Sequence, residues 1–113
     1  MADTVTLLRG ALDALVLKAL TWGPTHGYGV ARWIESVTDD ALRIEEGSLY
    51  PALYRIERRG WIESEWGVSD SGRKAKFYHL TPAGRAQLQA ETHNFTRFAR
   101  AIFKAFDATP DAA

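Results

Sequence analysis

The segment from residue 47 to residue 60 has two chemically different sides when it is drawn as an α-helix. Its apolar side chains follow the i, i+3, i+4, i+7 spacing of one buried helix face. They are Leu49, Ala52, Leu53 and Ile56. The opposite face is aromatic and basic, and it consists of Gly47, Ser48, Tyr50, Tyr54, Arg55 and Arg58. Because a core requires none of these polar groups, the segment is typical of a DNA recognition helix, although an ordinary amphipathic surface helix has the same pattern.

The ends of this helix are marked by capping residues. Ser48 is a competent N-cap, so the helix is predicted to begin near it. Pro51 then falls within the first turn, where its missing N–H is tolerated, and Gly60 ends the helix.

A predicted β-hairpin follows this helix directly and favours the DNA-binding interpretation. Residues 61–66 and 73–80 are rich in β-prone side chains, and residues 67–72 supply the Gly, Ser and Asp of a turn. The returning strand begins with a cluster of cations, and no acidic residue occurs from residue 71 to residue 90. These cations are Arg73, Lys74 and Lys76. A recognition helix followed by a basic hairpin is the layout of a winged helix-turn-helix. The alternative is a solvated hairpin whose lysines only keep an edge strand soluble.

Two further helices are predicted before the recognition helix. Residues 7–22 form a strongly apolar helix that a Gly-Pro pair ends. A second helix, capped by Thr25 or His26, runs to residue 37, and a short connector that can be extended covers residues 41–46.

The last helix is predicted to begin after Thr81 and to run to about Phe106. Its apolar residues alternate spacings of four and three, as in a heptad seam, with two further phenylalanines beside it. A winged helix of this size cannot bury so much aromatic surface alone, so a homodimer is predicted. The predicted interface on this helix comprises Leu88, Phe95, Phe98, Ala99, Ile102, Phe103 and Phe106. Two-fold symmetry would place two recognition helices about 34 Å apart, which matches successive major grooves.

These elements predict a mainly α fold with a small β-hairpin, of the α+β class. Residues 1–80 are assigned to a winged helix-turn-helix, residues 81–107 to a C-terminal dimerisation helix and residues 108–113 to a flexible tail.

The charge distribution agrees with a DNA-binding role better than the total charge does. The chain has 14 basic and 14 acidic residues, which argues against a protein that coats nucleic acid through bulk charge. From Arg55 to Arg85, however, basic residues exceed acidic ones by three. This local excess suits contact with phosphates.

Enzymatic chemistry is not predicted. There is no cysteine for disulfides or thiolate metal ligands, and the three histidines are far apart in the sequence. The glycines form neither a P-loop nor a dinucleotide fingerprint. No catalytic residue, metal site or cofactor is therefore assigned. The apolar stretch near the N-terminus is too short to cross a bilayer and lacks the features of a signal peptide, so a cytoplasmic protein without membrane contact is expected.

Several motifs, taken in order, resemble the PadR family of bacterial transcriptional regulators over roughly residues 7–88. Those motifs are Leu15-Val16-Leu17, His26-Gly27-Tyr28, Gly47-Ser48-Leu49-Tyr50-Pro51-Ala52-Leu53, Ser64-Glu65-Trp66, Gly72-Arg73-Lys74, Tyr78 and Leu80-Thr81-Pro82-Ala83-Gly84. The resemblance implies a homodimeric regulator, most often a repressor, that binds inverted-repeat operators. It also implies that the first helix of one subunit packs on the last helix of the other, which adds Leu8 and Leu12 to the predicted interface.

The predicted DNA-binding residues combine the helix face with the family's contact positions. They are Ser48, Tyr50, Tyr54, Arg58, Arg73, Lys74 and Lys76. Some members of the family bind small aromatic effectors near the dimer interface, and Phe95, Phe98 and Ile102 are the candidate site here. Burial in the interface core is the favoured role for these three side chains.

The sequence departs from the family at Gly29 and at Glu45 and Glu46, which precede the recognition helix and would repel nearby phosphates unless they point away. Gly29 stands where the family usually has a larger side chain, and it is predicted to weaken the second helix by about 1 kcal/mol relative to alanine. The alternative function is a winged helix used for protein–protein interaction, with Tyr50, Tyr54 and Trp66 as interface anchors.

Overall fold

Four α-helices and a three-stranded antiparallel sheet make up residues 9–112, the part of the chain that the computed structural model describes. The helices are α1 Arg9–Ala19, α2 Gly27–Val37, α3 Glu46–Arg58 and α4 Pro82–Asp107, and the strands are β1 Thr25–His26, β2 Ile62–Val68 and β3 Lys74–Leu80. Short 3-10 turns cover Leu20–Trp22 and Pro110–Ala112. The predicted α+β class and the winged helix-turn-helix arrangement are confirmed. The predictions for Leu7 and Leu8 lie outside the described residues.

The core lies where α1, α2 and α3 meet the base of the sheet. The apolar stripe predicted on α3 is confirmed, since none of its four residues is more than 2% exposed. It packs with Val16, Leu17, Leu20, Val30, Ile34 and Ile62. Burying an aliphatic side chain of this size contributes roughly 1.5–3 kcal/mol, so this cluster fixes the orientation of α3 and exposes its opposite face.

The first helix is shorter than predicted because its last turn tightens. The α-helix ends at Ala19 and continues as the 3-10 turn Leu20–Trp22. Gly23, with φ 126°, donates its N–H to the carbonyl of Leu20 at 3.3 Å. The second helix is capped by His26, one of the two predicted caps, whose Nδ1 accepts from the N–H of Gly29 at 3.0 Å.

The recognition helix begins earlier than predicted, which corrects the roles of Ser48 and Pro51. Glu45 is the N-cap residue, and its carbonyl accepts from the N–H groups of Ser48 and Leu49, both at 2.9 Å. Ser48 therefore lies within the first turn, and Pro51 lies inside the helix. Gly60 ends the helix as predicted, with φ 79° and with its N–H bonded to the carbonyl of Glu57 at 3.0 Å.

The sheet has the strand order β1-β3-β2, so β3 is central. The two-residue strand β1 was not predicted; it pairs Thr25 with Tyr78 and His26 with Phe77. Gly67 lies in β2 rather than in the predicted turn. A Cβ at Gly67 would lie 3.0 Å from the Phe77 ring. The turn itself is closed by Gly72, with φ 82°, whose N–H donates to the carbonyl of Ser69 at 2.8 Å.

The last helix begins at a tight junction with the end of α3 and then projects from the core. The Thr81 hydroxyl donates to the carbonyl of Gly60 at 2.6 Å and accepts from the N–H of Gly84 at 3.0 Å. The radius of gyration is 16.4 Å, compared with about 13 Å for a compact domain of this length. The helix ends at Asp107, and part of the predicted flexible tail forms the 3-10 turn Pro110–Ala112.

Candidate nucleic-acid interface

The outer face of α3 presents a stripe of residues spaced four apart. Tyr50 and Tyr54 are 46% and 62% exposed, and Arg58 continues the stripe by one more turn. The Nη1 of Arg58 donates to the Tyr54 hydroxyl at 3.1 Å, and its guanidinium carbon lies 5.6 Å from the centre of the Tyr54 ring. This hydrogen bond raises the pKa of Arg58, which therefore remains charged. Ser48 is exposed near the start of the helix.

Arg55 does not belong to this exposed face, contrary to the sequence prediction. It is half-buried, and its guanidinium makes a two-nitrogen contact with the carboxylate of Asp13 on α1. The side chains of Arg55 and Asp13 are only 24% and 11% exposed. Arg55 therefore ties the recognition helix to α1, and its charge is compensated within the chain.

A second tyrosine–arginine pair lies at the start of α2 and was missed from the sequence. The Nη1 of Arg32 donates to the Tyr28 hydroxyl at 3.0 Å, and the guanidinium carbon lies 5.8 Å from the centre of the ring. Both residues are exposed. The four-residue spacing that they share with Tyr54 and Arg58 was the available signal.

The hairpin separates its charges between its two faces. Residues paired directly across the strands point to the same side, so Trp66 shares a face with Lys76, its partner in the register, and with Lys74. The ammonium groups of Lys74 and Lys76 lie 5.0 and 5.8 Å from the centre of the Trp66 ring. The opposite face carries Glu63, whose carboxylate lies 3.3 Å from His79 Nε2, and also Glu65. The basic face is continuous with the core face of the sheet and therefore turns toward the helices.

An open groove of about 1030 Å³ separates this basic hairpin face from the starts of α2 and α3. Four of the predicted DNA-binding residues line it, namely Tyr50, Arg73, Lys74 and Lys76. The other three, Ser48, Tyr54 and Arg58, lie outside it on α3. The groove also contains Tyr28, Arg32 and Trp66, which sequence analysis did not assign to DNA. Burial raises the pKa of Tyr78, which also lines the groove, so this hydroxyl stays neutral at physiological pH.

The residues predicted to form a dimer interface fall into two groups. Leu12, which is 5% exposed, and Leu88 pack in or against the core of the single chain. The four phenylalanines of α4 are exposed, with Phe95 at 38% and Phe106 at 76%. Ala99 is exposed as well, while Ile102 is half-buried. The candidate effector residues Phe95, Phe98 and Ile102 therefore lie on the projecting helix.

Residues 9–112 contain neither a metal cluster nor a membrane-spanning helix. No group of three or more His, Asp or Glu side chains in this part of the chain is arranged to hold a metal ion. None of its helices is long and apolar enough to span a membrane.

The exposed α3, packed on two preceding helices and followed by a basic hairpin, defines a winged helix-turn-helix DNA-binding protein. The chain belongs to the PadR-like family of transcriptional regulators, whose model matches residues 16–90. The family consists of DNA-binding regulators rather than enzymes, in agreement with the sequence analysis.

Two relatives and one solved structure illustrate what this chain is similar to. The chain is 37% identical over 95 residues to transcriptional regulator Rv3488 of Mycobacterium tuberculosis, covering 83% of this chain and 84% of that protein. It is 40% identical over 97 residues to an uncharacterized 37.1 kDa protein in transposon TN4556 of Streptomyces fradiae; this match covers 86% of the chain but 26% of that protein. The crystal structure of a PadR family transcriptional regulator from Eggerthella lenta has 30% identity and a TM-score of 0.73, covering 89% of this chain and 86% of that one.

Proposed function

We propose that this chain is a sequence-specific transcriptional repressor that binds an inverted-repeat operator as a homodimer. The observation that carries the proposal is the exposed stripe of Tyr50, Tyr54 and Arg58, beside a hairpin face that concentrates lysines. The core of the domain needs none of these side chains, and Arg58 is bonded to a tyrosine hydroxyl rather than to a carboxylate. Such a surface suits a partner that is both polyanionic and rich in hydrogen-bonding groups.

The helix and the hairpin have different roles in this proposal. The recognition helix enters the major groove, where the hydroxyls of Tyr50 and Tyr54 contact base edges or neighbouring phosphates. Ser48 fixes the start of the helix on the backbone. Arg73, Lys74 and Lys76 anchor the wing on the adjacent backbone or minor groove, which contributes affinity for any sequence.

The homodimer is supported by the uncovered phenylalanines of α4. Phe98, Phe103 and Phe106 are 61%, 64% and 76% exposed in the single chain. Covering three such side chains by a second α4 removes apolar surface from water and supplies the two-fold axis of an inverted repeat. The predicted interface also includes Phe95, Ala99 and Ile102.

Regulation by a small aromatic effector would depend on the second subunit. On α4, Phe95 and Phe98 are exposed and Ile102 is half-buried, so a second subunit would be needed to close a site around them. A ligand bound there would release the operator. Operator release in the presence of aromatic compounds is the measurement that would detect it.

Two substitutions separate sequence-specific binding from non-specific binding. Tyr50→Ala should reduce affinity chiefly for the cognate duplex, recovered by selection from random DNA with the parent protein. Lys74→Ala should weaken binding to all duplexes and flatten the dependence of log K on log salt by about one unit. Lys18→Ala is the matched control, because Lys18 also lies over a tryptophan, 5.4 Å from the Trp22 ring, but outside the groove.

The proposal is wrong if both Tyr50→Ala and Lys74→Ala bind the selected duplex as tightly as the parent at every salt concentration. Failure of the parent to select any sequence would instead favour the protein-interaction alternative, in which the same tyrosines contact another protein.

A further inference from the structure

The groove between the helices and the wing has two walls of similar chemistry. One wall is formed by α2 and α3 and presents Tyr28, Arg32 and Tyr50. The other is formed by the hairpin and presents Trp66, with the ammonium groups of Lys74 and Lys76 at 5.0 and 5.8 Å from the centre of its ring. Both walls therefore combine aromatic surface with positive charge, and the space between them is open to solvent.

No cation of the groove forms a contact ion pair with a carboxylate within residues 9–112, although the carboxylates of Glu35 and Asp40 act on Arg32 from a longer distance. Within residues 9–112, ion pairs to carboxylates involve Arg43, Arg55 and His79, none of which lines the groove. Arg32 is bonded to the Tyr28 hydroxyl, and the lysines lie over Trp66. The groove is lined by the carboxylate of one acidic residue, Asp70, at the turn of the hairpin. Such a groove favours an occupant that carries negative charge at more than one point.

The exposed Trp66 indicates that the occupant also has an apolar part. Its side chain is 62% exposed, although it is the largest apolar side chain on the hairpin. Because the side chain stays this exposed with both ammonium groups near its ring, it is accessible to a ligand. An occupant that alternates anionic and apolar units fits this wall, and a sugar–phosphate strand is such a polymer.

The two walls are held at a fixed distance by contacts at the start of α2. The backbone of β1 pairs with β3, and the His26 ring packs edge-on against Phe77 with 5.4 Å between the ring centres. Within the helical wall, the Tyr50 ring of α3 lies so close to Gly27 of α2 that a Cβ there would be 2.9 Å from it. The groove is therefore formed before any ligand binds, which lowers the entropic cost of binding.

We infer that this groove holds the sugar–phosphate backbone of one operator strand, with Trp66 packed against deoxyribose and with Lys74, Lys76 and Arg32 on the flanking phosphates. The inference rests on the proposed function. With α3 in the major groove and the wing at the neighbouring minor groove, the strand that separates the two grooves must pass between them. Bases in a duplex are paired and stacked, so the apolar surface that this strand offers to Trp66 is its sugar.

A tryptophan pair of closely similar exposure provides the test. Trp66→Ala should weaken binding to the selected operator about tenfold, since it removes apolar contact without removing charge. The slope of log K against log salt should stay unchanged. Trp22→Ala should bind within about twofold of the parent; Trp22 is 69% exposed and has a lysine over its ring, but it lies outside the groove.

Arginine variants test the opposite wall. Arg32→Ala should lower the salt slope by about one unit, because one phosphate contact is lost. Arg43→Ala is its control, because Arg43 is an exposed arginine that does not line the groove, and its Nε lies 4.0 Å from the Glu35 carboxylate.

Fluorescence gives a readout that does not depend on affinity. Operator binding should quench the parent's tryptophan emission, and Trp66→Phe should lose that quenching while Trp22→Phe keeps it. The inference is overturned if Trp66→Ala binds like the parent and Trp66→Phe is still quenched. The proposed function survives that result provided that Tyr50→Ala still loses operator affinity, so the two failures can be distinguished. If the parent binds no duplex, both are wrong.

Discussion

The same glycine-to-alanine substitution should have opposite effects at two helical positions of this chain. Gly84, in the first turn of α4, is buried, and a Cβ there would lie 1.9 Å from the carbonyl oxygen of Trp61. Gly84→Ala should lower the free energy of unfolding by about 2–3 kcal/mol, because the backbone of the α3–β2 junction must shift. Gly10 lies in α1, and a Cβ there would meet no atom within 4 Å. Gly10→Ala should therefore raise the free energy of unfolding by about 0.5 kcal/mol. Urea denaturation of both variants checks the prediction, and equal changes would contradict it.

Gly29 shows why the effect of a glycine-to-alanine substitution on stability cannot be predicted from the sequence. Helix propensity alone predicts that alanine would stabilise α2 by about 1 kcal/mol. In the structure, a Cβ at Gly29 would lie 2.6 Å from Thr25 Cγ2, and the Thr25 hydroxyl is engaged with the carbonyl of Gly23 at 3.2 Å. Most or all of the gain in propensity is therefore offset by the displacement of a neighbour that is four residues away and belongs to a different element.

The contact between Asp13 and Arg55 joins two helices, so its removal should affect stability rather than DNA binding. Asp13→Ala leaves a half-buried guanidinium without its carboxylate and should lower the free energy of unfolding by about 2 kcal/mol. The double variant with Arg55→Ala should show a coupling energy of about 1–2 kcal/mol. Denaturant unfolding of the four proteins in the cycle measures it.

The affinity of an Arg55 variant for DNA is the control for this prediction. Arg55→Met should leave the salt slope of operator binding unchanged, whereas Arg58→Ala should reduce it by about one unit. A reduced slope for Arg55→Met would mean that Arg55 exchanges Asp13 for a phosphate in the complex.

The predictability of each element depends on how local its determinants are. The buried face of α3 follows from periodicity alone, because four apolar residues at helical spacing fit one buried side. The strand β1 has two residues and exists through its pairing with β3, about fifty positions later in the chain. The start of α3 at Glu46, the burial of Arg55 and the groove position of Tyr28 likewise depend on contacts between elements. Sequence periodicity therefore identified the recognition helix, whereas the groove beside it required the structure.

At the scale of the whole molecule, the apolar surface that one chain leaves exposed bears on whether the protein forms a dimer. The core accounts for α1, α2 and the inner face of α3, but Phe98, Phe103 and Phe106 remain exposed on one projecting helix. Placing glutamate at two of these positions would bury unpaired charge in a dimer and leave the single chain's core untouched. Phe103→Glu/Phe106→Glu should therefore weaken dimerisation by at least about 100-fold while the helical circular dichroism remains.

Sedimentation equilibrium would compare this variant with the parent and with Val37→Glu. Val37 is also an exposed apolar residue, at 55%, but it is the last residue of α2 and does not belong to α4, so its variant should stay dimeric. The monomeric variant should have the 12.6 kDa mass of one chain. Its affinity for a single half-site should be that of one winged-helix domain. It should lose the preference for two half-sites one helical turn apart, because that preference comes from two recognition helices held about 34 Å apart by the dimer. A parent protein that already sediments as one chain at micromolar concentration would refute the dimer and, with it, the inverted-repeat operator. The contacts of a single α3 and wing would then be the whole basis of DNA recognition.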